Sequence, residues 1–342
     1  MTSLGNVAQL GEHALLARLL ARLPRPSGSI LVGPGDDAAV VATARNERLV
    51  VTTDAVVEGV HFSRAYSTPA DIGHRALAVN LSDLAAMAAT PRWALLSLVL
   101  PGSMQVADVE ELVDGLSALA TRHGVSVAGG NITRTDGPLV VDVTAGGEAA
   151  PRKWLTRSGA RAGDEIYVSG SIGGAAAGLE MLQTGSGPPS LASRASADCI
   201  ARHKRPEPRV RLGVAMGRAR AARAAMDLSD GLADAVHQVA AASRVGVRVD
   251  AAALPIDECA REWWKSRGVD AATAALVGGD DYELLFAVPA KGMGRLRSVR
   301  RQVADPALTK IGVFTKDAHE RVLLRDGKED VIPQGFEHFA NR

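Results

Sequence analysis

The sequence predicts a two-domain protein of the α/β or α+β class, on two observations. Its 342 residues exceed what one hydrophobic core usually organises and suit two domains of roughly 150 residues each. Short runs typical of β-strands also interleave with long helical patterns, as expected for layers of sheet and helix. We therefore expect one domain over residues 1–150 and a second over residues 151–342.

The predicted elements of the first half begin with an amphipathic helix, since leucines recur with helical spacing between Leu15 and Leu23. Strand-like runs follow at 49–53, 93–100, 125–128 and 139–145, and helical patterns at 70–89 and 105–123. Around 149–163 the pattern breaks into the polar and basic segment APRKWLTRSGARAG, which we interpret as the domain boundary. A strand (DEIYVSG), a glycine-rich turn and a helix (GGAAAGLEML) then open the second half.

Composition and charge exclude several classes of protein. The apolar fraction of 46% with 23% charged residues is that of a soluble globular enzyme, and the net charge of +1 predicts neither a nucleic-acid nor a membrane partner. The two cysteines, Cys199 and Cys259, form no metal-binding spacing or disulfide framework. The N-terminus lacks the pattern of a secretory signal, and no window approaches the ~18 uncharged apolar residues of a membrane span. We expect a cytoplasmic protein.

Six short motifs combine Asp or Asn with Gly, Ser or Thr. They are GDDAA at 35–39, TTD at 52–54, NLSDLAAM at 80–87, GGN at 129–131, DLSDGL at 227–232 and GGDDYEL at 278–284. An aspartate among small residues after an apolar run lies where a strand or loop meets a helix, and several can converge on Mg²⁺ and phosphate. The pattern therefore predicts phosphoryl chemistry.

The individual carboxylates have structural alternatives. Mg²⁺ prefers hard oxygen ligands, which makes these aspartates candidates: Asp37, Asp54, Asp83, Asp227 and Asp230. A single Asp before a helix is also a common N-cap, and only the recurrence favours a metal site. The adjacent aspartates at 36–37 and 280–281 repel each other unless a cation or the turn geometry relieves them, and a solvated turn would hold them too.

Glycine-rich and basic segments give weaker signals. The chain lacks both the P-loop motif and the Rossmann fingerprint. The turn at 169–178 would present backbone N–H groups to an anion, although tight strand-to-helix packing explains it as well. The basic stretch at 202–223 lacks interleaved aromatics and is broken by two prolines, which favours a solvated helix pair over a nucleic-acid surface. Trp263 and Trp264 fit packing better than ligand contacts.

Two isolated side chains also have alternatives. Arg157 precedes the first strand of the second half, where it is either a phosphate partner or a surface arginine. His61 follows the TTD motif closely enough to share its site, whereas a lone histidine is more often structural.

The order of the motifs carries a resemblance. In sequence they are GDDAAV, TTDAVVEGVHF, LAVNLSDLAAMAA, AGGNITR, LTRSGARAGD, RHKRPEPR, MDLSDGL and GGDDYELLF. This ordered set, from about residue 33 to the GFEHF that ends at 339, resembles the thiamine-monophosphate kinase family. Each motif is short, but the combination is highly specific.

The resemblance implies a reaction and a fold. Members of the family use ATP and Mg²⁺ to add one phosphoryl group to thiamine monophosphate, giving thiamine diphosphate. For this reaction our hypothesis is direct in-line transfer without a covalent phospho-enzyme, because an already anionic phosphate nucleophile needs little help from a base, so that positioning and charge neutralisation supply most of the rate gain. The implied fold is that of the aminoimidazole-ribonucleotide synthetase superfamily, in which the N-terminal domains of a homodimer pair their strands into an intersubunit β-barrel.

The resemblance also implies the site residues. Matching metal positions are Asp37, Thr52, Thr53, Asp54, Asp83, Asn131, Asp227 and, as an additional one, Asp230. Matching ATP positions are Gly130, Asn131, Arg157 and Ser229, and those for thiamine monophosphate are His61, Asp280 and Phe336. Two positions depart from the family: Asn131 stands where some members carry Asp, and Asp280 where Glu is frequent.

Other functions are weighed by the same residues. The purine-pathway synthetase, selenophosphate synthetase and the hydrogenase-maturation dehydratase belong to the same superfamily. The last two carry an essential cysteine near one terminus, whereas the cysteines of this chain are internal. The segments VVEGVHF and GGDDYELLF favour the thiamine enzyme over the purine one. A silent nucleotide or thiamine diphosphate binding protein is the alternative from another class, with Asn131 as its mark; intact Asp37, Asp54, Asp83 and Asp227 argue against it.

Overall fold

The structure is a computed structural model that describes residues 6–10, 12–24, 29–32, 40–185 and 193–335. The chain forms two compact units. The first comprises Met1–Leu84 and Thr90–Pro151, and the second comprises Ala85–Ala89 and Arg152–Arg342.

The first unit is built on a four-stranded sheet. Its helices are α1 (Val7–Leu10), α2 (Glu12–Arg22), α3 (Pro69–Ala86, which ends in the second unit) and α4 (Val106–His123). Its strands are β1 (Ile30–Val32), β2 (Val40–Val41), β3 (Arg48–Val57), β4 (Thr90–Pro101), β5 (Ser126–Thr135) and β6 (Val140–Ala149). The sheet order is β3-β6-β4-β5, with β4 and β5 parallel and the other pairs antiparallel, while β1 and β2 pair separately. The strands and helices predicted for this half are confirmed.

Close packing of α3 on α4 fixes the helix that carries Asp83. A Cβ atom at Gly73 would lie 1.9 Å from the carbonyl oxygen of Leu112, and one at Gly115 would lie 2.2 Å from that of Ala70. Real Cβ atoms do not come this close, so glycine at both positions lets the two backbones approach. The buried leucines and valines of α4 recur with helical spacing and place one face of that helix in the core.

One face of the four-stranded sheet is open in the described residues. Along β3 the side chains alternate in exposure, and Leu49 and Val51 are 49% and 53% exposed. Leu95 on β4 is also exposed. The sheet does not close into a barrel among the described residues, and β3 and β5 are its edges. The intersubunit barrel therefore stays a prediction.

The second unit is built on a seven-stranded mixed sheet. Its strands are β7 (Glu165–Ser169), β8 (Ala224–Asp227), β9 (Gly246–Asp250), β10 (Leu284–Val288), β11 (Leu308–Thr315), β12 (Arg321–Arg325) and β13 (Lys328–Val331). Their order in the sheet is β13-β12-β9-β11-β7-β10-β8. Its helices are α5 (Gly174–Thr184), α6 (Ser193–Lys204), α7 (Val210–Ala219), α8 (Leu232–Ser243), α9 (Glu258–Ser266), α10 (Ala271–Val277) and α11 (Met293–Gln302). Every residue of β10 is buried, which places the centre of the core against this strand.

Three further predictions can be compared with the fold. Helix α2 is confirmed as a helix with Leu15 and Leu19 buried, whereas Leu16, which belongs to the same leucine pattern, is exposed. Trp263 and Trp264 are buried and donate their indole N–H groups to Glu180, which confirms their packing role. Among the described helices, none is long and apolar enough to cross a membrane.

Candidate functional site

The first unit brings together two predicted metal-site residues that lie far apart in sequence. The Thr52 hydroxyl on β3 donates to Oδ2 of Asp83 on α3 at 2.5 Å. Asp54 lies two residues further along β3 and, like Thr52, is half-buried. Because alternate residues of a strand share a face, Thr52 and Asp54 both lie on the face from which Asp83 is reached.

Thr53 lies on the other face of the same strand. Its hydroxyl contacts the Thr144 hydroxyl at 3.0 Å and donates to the Val143 carbonyl oxygen at 3.3 Å on the neighbouring strand β6. The side chain of Thr53 is therefore separated by the sheet from Thr52 and Asp54.

Gly130 and Asn131 lie on β5, the opposite edge of the sheet from β3. Strands β6 and β4 lie between β5 and β3, so three interstrand spacings, about 14 Å, separate Gly130 and Asn131 from Thr52 and Asp54. A Cβ at Gly130 would lie 1.9 Å from the Leu96 carbonyl oxygen, so close strand packing already requires glycine there. Within one unit the fold does not bring Asn131 to the Thr52 and Asp83 pair.

His61 is held in a turn just beyond β3. The Val57 N–H donates to His61 Nδ1 at 3.1 Å, and the His61 N–H donates to the Val57 carbonyl at 2.9 Å. An Nδ1 that accepts a hydrogen bond carries no proton, so the neutral ring is protonated on Nε2. The turn holds His61 next to Val57, the last residue of β3, which lies about 10 Å along the strand from Asp54.

In the second unit, two loops join the DLSDGL and GGDDYEL motifs. Asp227 is buried at the end of β8, and its Cα partner on β10 is Leu284. Beyond these strands the Asp280 N–H donates to the Ser229 carbonyl at 2.7 Å, and the Tyr282 N–H donates to that of Leu228 at 3.1 Å. The fold thus gathers four predicted site residues at the ends of two adjacent strands: Asp227, Ser229, Asp230 and Asp280.

The adjacent aspartates of the second motif have separate environments. Asp280 has a left-handed backbone (φ 69°), and its carboxylate lies 3.4 Å from both the Tyr282 hydroxyl and His203 Nδ1. Asp281 is buried and accepts the N–H groups of Gly173 and Ala175 at 2.5 and 3.1 Å. Burial raises the pKa of Asp281 to about 7, against the lowering effect of Arg202 and these amides.

The glycine-rich turn therefore does bind an anion at the start of α5, but the anion is Asp281 of the same chain. The packing alternative holds as well, since a Cβ at Gly178 would lie 2.2 Å from the Cys199 carbonyl. This turn is structurally satisfied without an external phosphate.

The sequence alone missed a buried ion cluster beside this site. The Glu283 side chain is 0% exposed and accepts from Arg209 Nε at 2.9 Å, from a second nitrogen of Arg209, from Arg202 Nη2 at 3.3 Å and from the Ser169 hydroxyl at 2.5 Å. The prediction of a helix pair in the basic stretch is confirmed by α6 and α7. The prediction that its arginines are solvated is wrong for Arg202 and Arg209, which pair with the buried Glu283. The prolines at 206 and 208, which separate the two helices, are the sequence feature that could have indicated a structured connection here.

Arg157 is exposed and linked to α8 through side chains. It donates to Gln238, whose amide donates to Asp234 at 2.6 Å. Burial raises the pKa of Asp234, while the Gln238 hydrogen bond and the charge of Arg157 lower it. The helix that holds Arg157 is the one that begins directly after Ser229 and Asp230.

Two predicted residues, Asp37 and Phe336, lie outside the described residues. The segment that leads to Phe336 reaches the second-unit site. His237 Nε2 lies 3.0 Å from the Pro333 carbonyl, and a Cβ at Gly335 would lie 3.0 Å from the Asp230 carbonyl.

The donor set fits magnesium rather than a transition metal. No group of three or more His, Cys, Asp or Glu arranged for a metal ion occurs in the described ranges. The gathered side chains offer carboxylate and hydroxyl oxygens, as in Thr52 with Asp83 and in the loop with Asp227 and Asp230. Mg²⁺ usually takes only one or two carboxylates together with water and substrate phosphates, so small oxygen groups of this kind suit it.

Comparison with known proteins finds the same family over nearly the whole chain. Residues 35–149 match the AIR synthase related protein N-terminal domain, and residues 161–325 match its C-terminal domain. A thiamine-monophosphate kinase of Escherichia coli K12 is 39% identical over 96% of this chain and 98% of its own.

Solved structures agree with this relationship. A crystal structure of thiamine-monophosphate kinase from Stenotrophomonas maltophilia K279a is 40% identical, with a TM-score of 0.76, over 92% of this chain and 95% of that one. A structure of AaThiL complexed with AMPPCP and TMP is 32% identical, with a TM-score of 0.75, over 97% of this chain and 98% of that one.

Proposed function

We propose that this chain, which belongs to the thiamine-monophosphate kinase family of AIR synthase related proteins, transfers the γ-phosphoryl group of ATP to thiamine monophosphate. The products are thiamine diphosphate and ADP. The observation that carries the proposal is the joining of the family's motif residues within each unit: Thr52 with Asp83, and the DLSDGL loop with the GGDDYEL loop. The relative solved with AMPPCP and TMP supports the same pair of substrates.

Each unit offers oxygen donors that would hold magnesium. In the first unit these are Thr52, Asp54 and Asp83, with Asp37 of the sequence motif; in the second they are Asp227 and Asp230. When bound, the metal supplies neutralisation of the phosphate charges. The Thr52 hydroxyl fixes the orientation of the Asp83 carboxylate, so the chain holds a donor in place before any ligand arrives.

Three further side chains would position the substrates. The neutral ring of His61 carries its hydrogen on Nε2, and this N–H would donate a hydrogen bond to a phosphate oxygen of thiamine monophosphate. Arg157 is held through Gln238 and has further N–H groups for a phosphate of ATP. Asp280 lies next to Tyr282 and His203, where it would contact the positively charged ring of thiamine.

The reaction needs positioning more than proton transfer. A terminal oxygen of thiamine monophosphate, already anionic, forms the new bond to the γ-phosphorus, while the bond from that phosphorus to the β-phosphate oxygen breaks and ADP leaves. No base is required, and no covalent phospho-enzyme forms. The residues named above lower the barrier by alignment and by stabilising the charge of the transferred group.

We also expect a homodimer formed through the open sheet of the first unit. Exposed Leu49, Val51 and Leu95 form an apolar surface, and β3 and β5 are open edges among the described residues. A second copy of the chain would cover this apolar surface and the open strand edges. The substitution Val51→Glu should give a monomer in size-exclusion chromatography with light scattering, whereas Val269→Glu, at an exposed valine of the second unit, should leave a dimer. A wild-type monomer would contradict this expectation.

The activity is tested by chromatography of thiamine diphosphate after incubation with ATP, Mg²⁺ and thiamine monophosphate, beside a reaction with free thiamine. Asp83→Asn should lower turnover at least a hundredfold. Asp136→Asn is the matched control, because Asp136 is 91% exposed and pairs with the 74% exposed Arg134, away from the residues assigned to the site. Near-native turnover of Asp83→Asn at saturating Mg²⁺ would refute the assignment of Asp83, and absence of product with bound ATP would favour a binding protein.

A further inference from the structure

We propose that a basic cleft on the second unit binds a small molecule that carries a diphosphate or triphosphate group, at a place separate from the residues assigned to the kinase. The basic cleft is a cavity of about 410 Å³. Six cationic side chains line it: Arg152, Lys153, Arg220, Arg223, Lys291 and Arg295. None of these belongs to a motif used above, and the inference does not depend on the proposed function.

The charge of the cleft is unbalanced in the described part of the chain. No acidic residue lines it, and only Arg223 has an acidic partner, Asp164 at 2.8 Å. Lys153 Nζ and Arg295 Nη1 donate to main-chain carbonyls at the end of α7, at 2.6 and 3.1 Å, where the negative end of the helix dipole offsets part of their charge but no carboxylate pairs with them. Five positive charges therefore share one cavity, an arrangement that a polyanion would stabilise.

The backbone adds to the positive potential. A 3₁₀ turn over Ala290–Gly292 at the cleft runs directly into helix α11, and this helical run begins without a side-chain N-cap and with no acidic residue in its first turn. Lys291 and Arg295 flank this positive end of the helix dipole, where anions are favoured and cations are not.

Two of the cations occupy backbone positions that favour glycine. Arg152 has φ 62°, and Arg220, the C-cap of α7, has φ 50°, both in the left-handed region. Glycine or asparagine would adopt this conformation with less strain. Arg220 is at the same kind of helix C-cap as Arg244 outside the cleft, so the left-handed backbone fixes where these two charges lie and is not itself evidence for a ligand.

The volume and the lining residues suit a ligand with an aromatic part as well as phosphates. The volume lies within the range of small-molecule sites, about 300–1,000 Å³. Trp154 at the cleft is 39% exposed, and Leu155, Ala222 and Pro289 provide apolar lining. A heteroaromatic ring could stack on Trp154 while its phosphates contact the arginines.

The test uses the fluorescence of Trp154 in the full-length protein. Sodium tripolyphosphate, ATP and thiamine diphosphate are each titrated into the wild type and into Trp154→Phe, and the difference between the two proteins reports the cleft alone. We expect saturable quenching that weakens with added salt. Tighter binding of ATP or thiamine diphosphate than of tripolyphosphate would identify which ring the site accepts, and equal binding would identify the polyphosphate itself as the ligand.

Charge reversal with a matched control completes the test. Arg220→Glu with Lys291→Glu should weaken tripolyphosphate binding at least tenfold. Arg244→Glu with Lys316→Glu should change it less than twofold, because Arg244 is likewise an exposed left-handed C-cap but lies outside the cleft. Absence of quenching by all three probes, or equal weakening by both double variants, would overturn the proposal. Binding is read without turnover, so failure of the kinase assignment would leave this result interpretable.

Discussion

Replacing Arg209 by methionine should destabilise the second unit, because it removes the main partner of a fully buried carboxylate. The Glu283 side chain is 0% exposed and that of Arg209 is 19% exposed, and two guanidinium nitrogens bind the carboxylate. Removing one member of a buried pair costs about 3–5 kcal/mol. Since Arg202 and the Ser169 hydroxyl remain as partners, we expect the lower end, about 3 kcal/mol.

Urea unfolding followed by tryptophan fluorescence measures this loss, because Trp263 and Trp264 are buried in the same unit. Arg134→Met is the control, since the pair of Arg134 with Asp136 is 74% and 91% exposed. An exposed pair contributes about 0–1 kcal/mol, so this change should be nearly silent. The reasoning is refuted if Arg209→Met unfolds within about 1 kcal/mol of the wild type, given the range expected for buried pairs.

Three further changes test the site and its support. Thr52→Val should lower the steady-state rate of thiamine diphosphate formation at saturating ATP about tenfold, with little loss of stability, because the Asp83 carboxylate loses the hydroxyl that orients it. An unchanged steady-state rate would argue against that role. Asp281 binds its proton more tightly in the folded protein, so its contribution to the free energy of unfolding is fully present below about pH 4 and is lost as the pH rises through about 7. Compared with Asp281→Asn in urea unfolding, the wild type should therefore lose about 2–3 kcal/mol of stability between pH 5 and pH 8. Parallel pH profiles of the two proteins would contradict this. Gly130→Ala should lower the thermal unfolding temperature by several degrees, because its Cβ would meet a main-chain oxygen at 1.9 Å, whereas Gly129→Ala, with its nearest contact at 3.4 Å, should change it little.

Much of the fold could be predicted because local periodicity encodes it. The β-rich run at 49–53 and the helical pattern at 105–123 each predicted the correct element: β3 extends beyond the run at both ends, and α4 begins one residue later than the pattern. The family predicted from the order of the motifs is confirmed by the comparisons. The sheet order β3-β6-β4-β5 was not available from these patterns, since it depends on pairings between distant strands.

The orientation of Thr53 could have been predicted without a structure. Thr52 and Thr53 are consecutive in a predicted strand, and consecutive side chains point to opposite faces. Only one of the two hydroxyls can therefore join Asp83, and the structure assigns that contact to Thr52. A family motif marks positions, but the period of the strand decides which side chains share a site.

The adjacent aspartates show what local sequence does not contain. Asp280 and Asp281 look equivalent in GGDDYEL, yet one lies near His203 and the other binds the start of α5. Each carboxylate has its own partners from distant parts of the chain: His203 for Asp280, and the amides of Gly173 and Ala175 for Asp281. Because an N-terminal helix amide or a buried arginine becomes a partner only after folding, a carboxylate of the site and a carboxylate of the scaffold cannot be distinguished from the motif alone. Substitution of Asp281 should therefore change stability first, whereas substitution of Asp280 should change the affinity for thiamine monophosphate first.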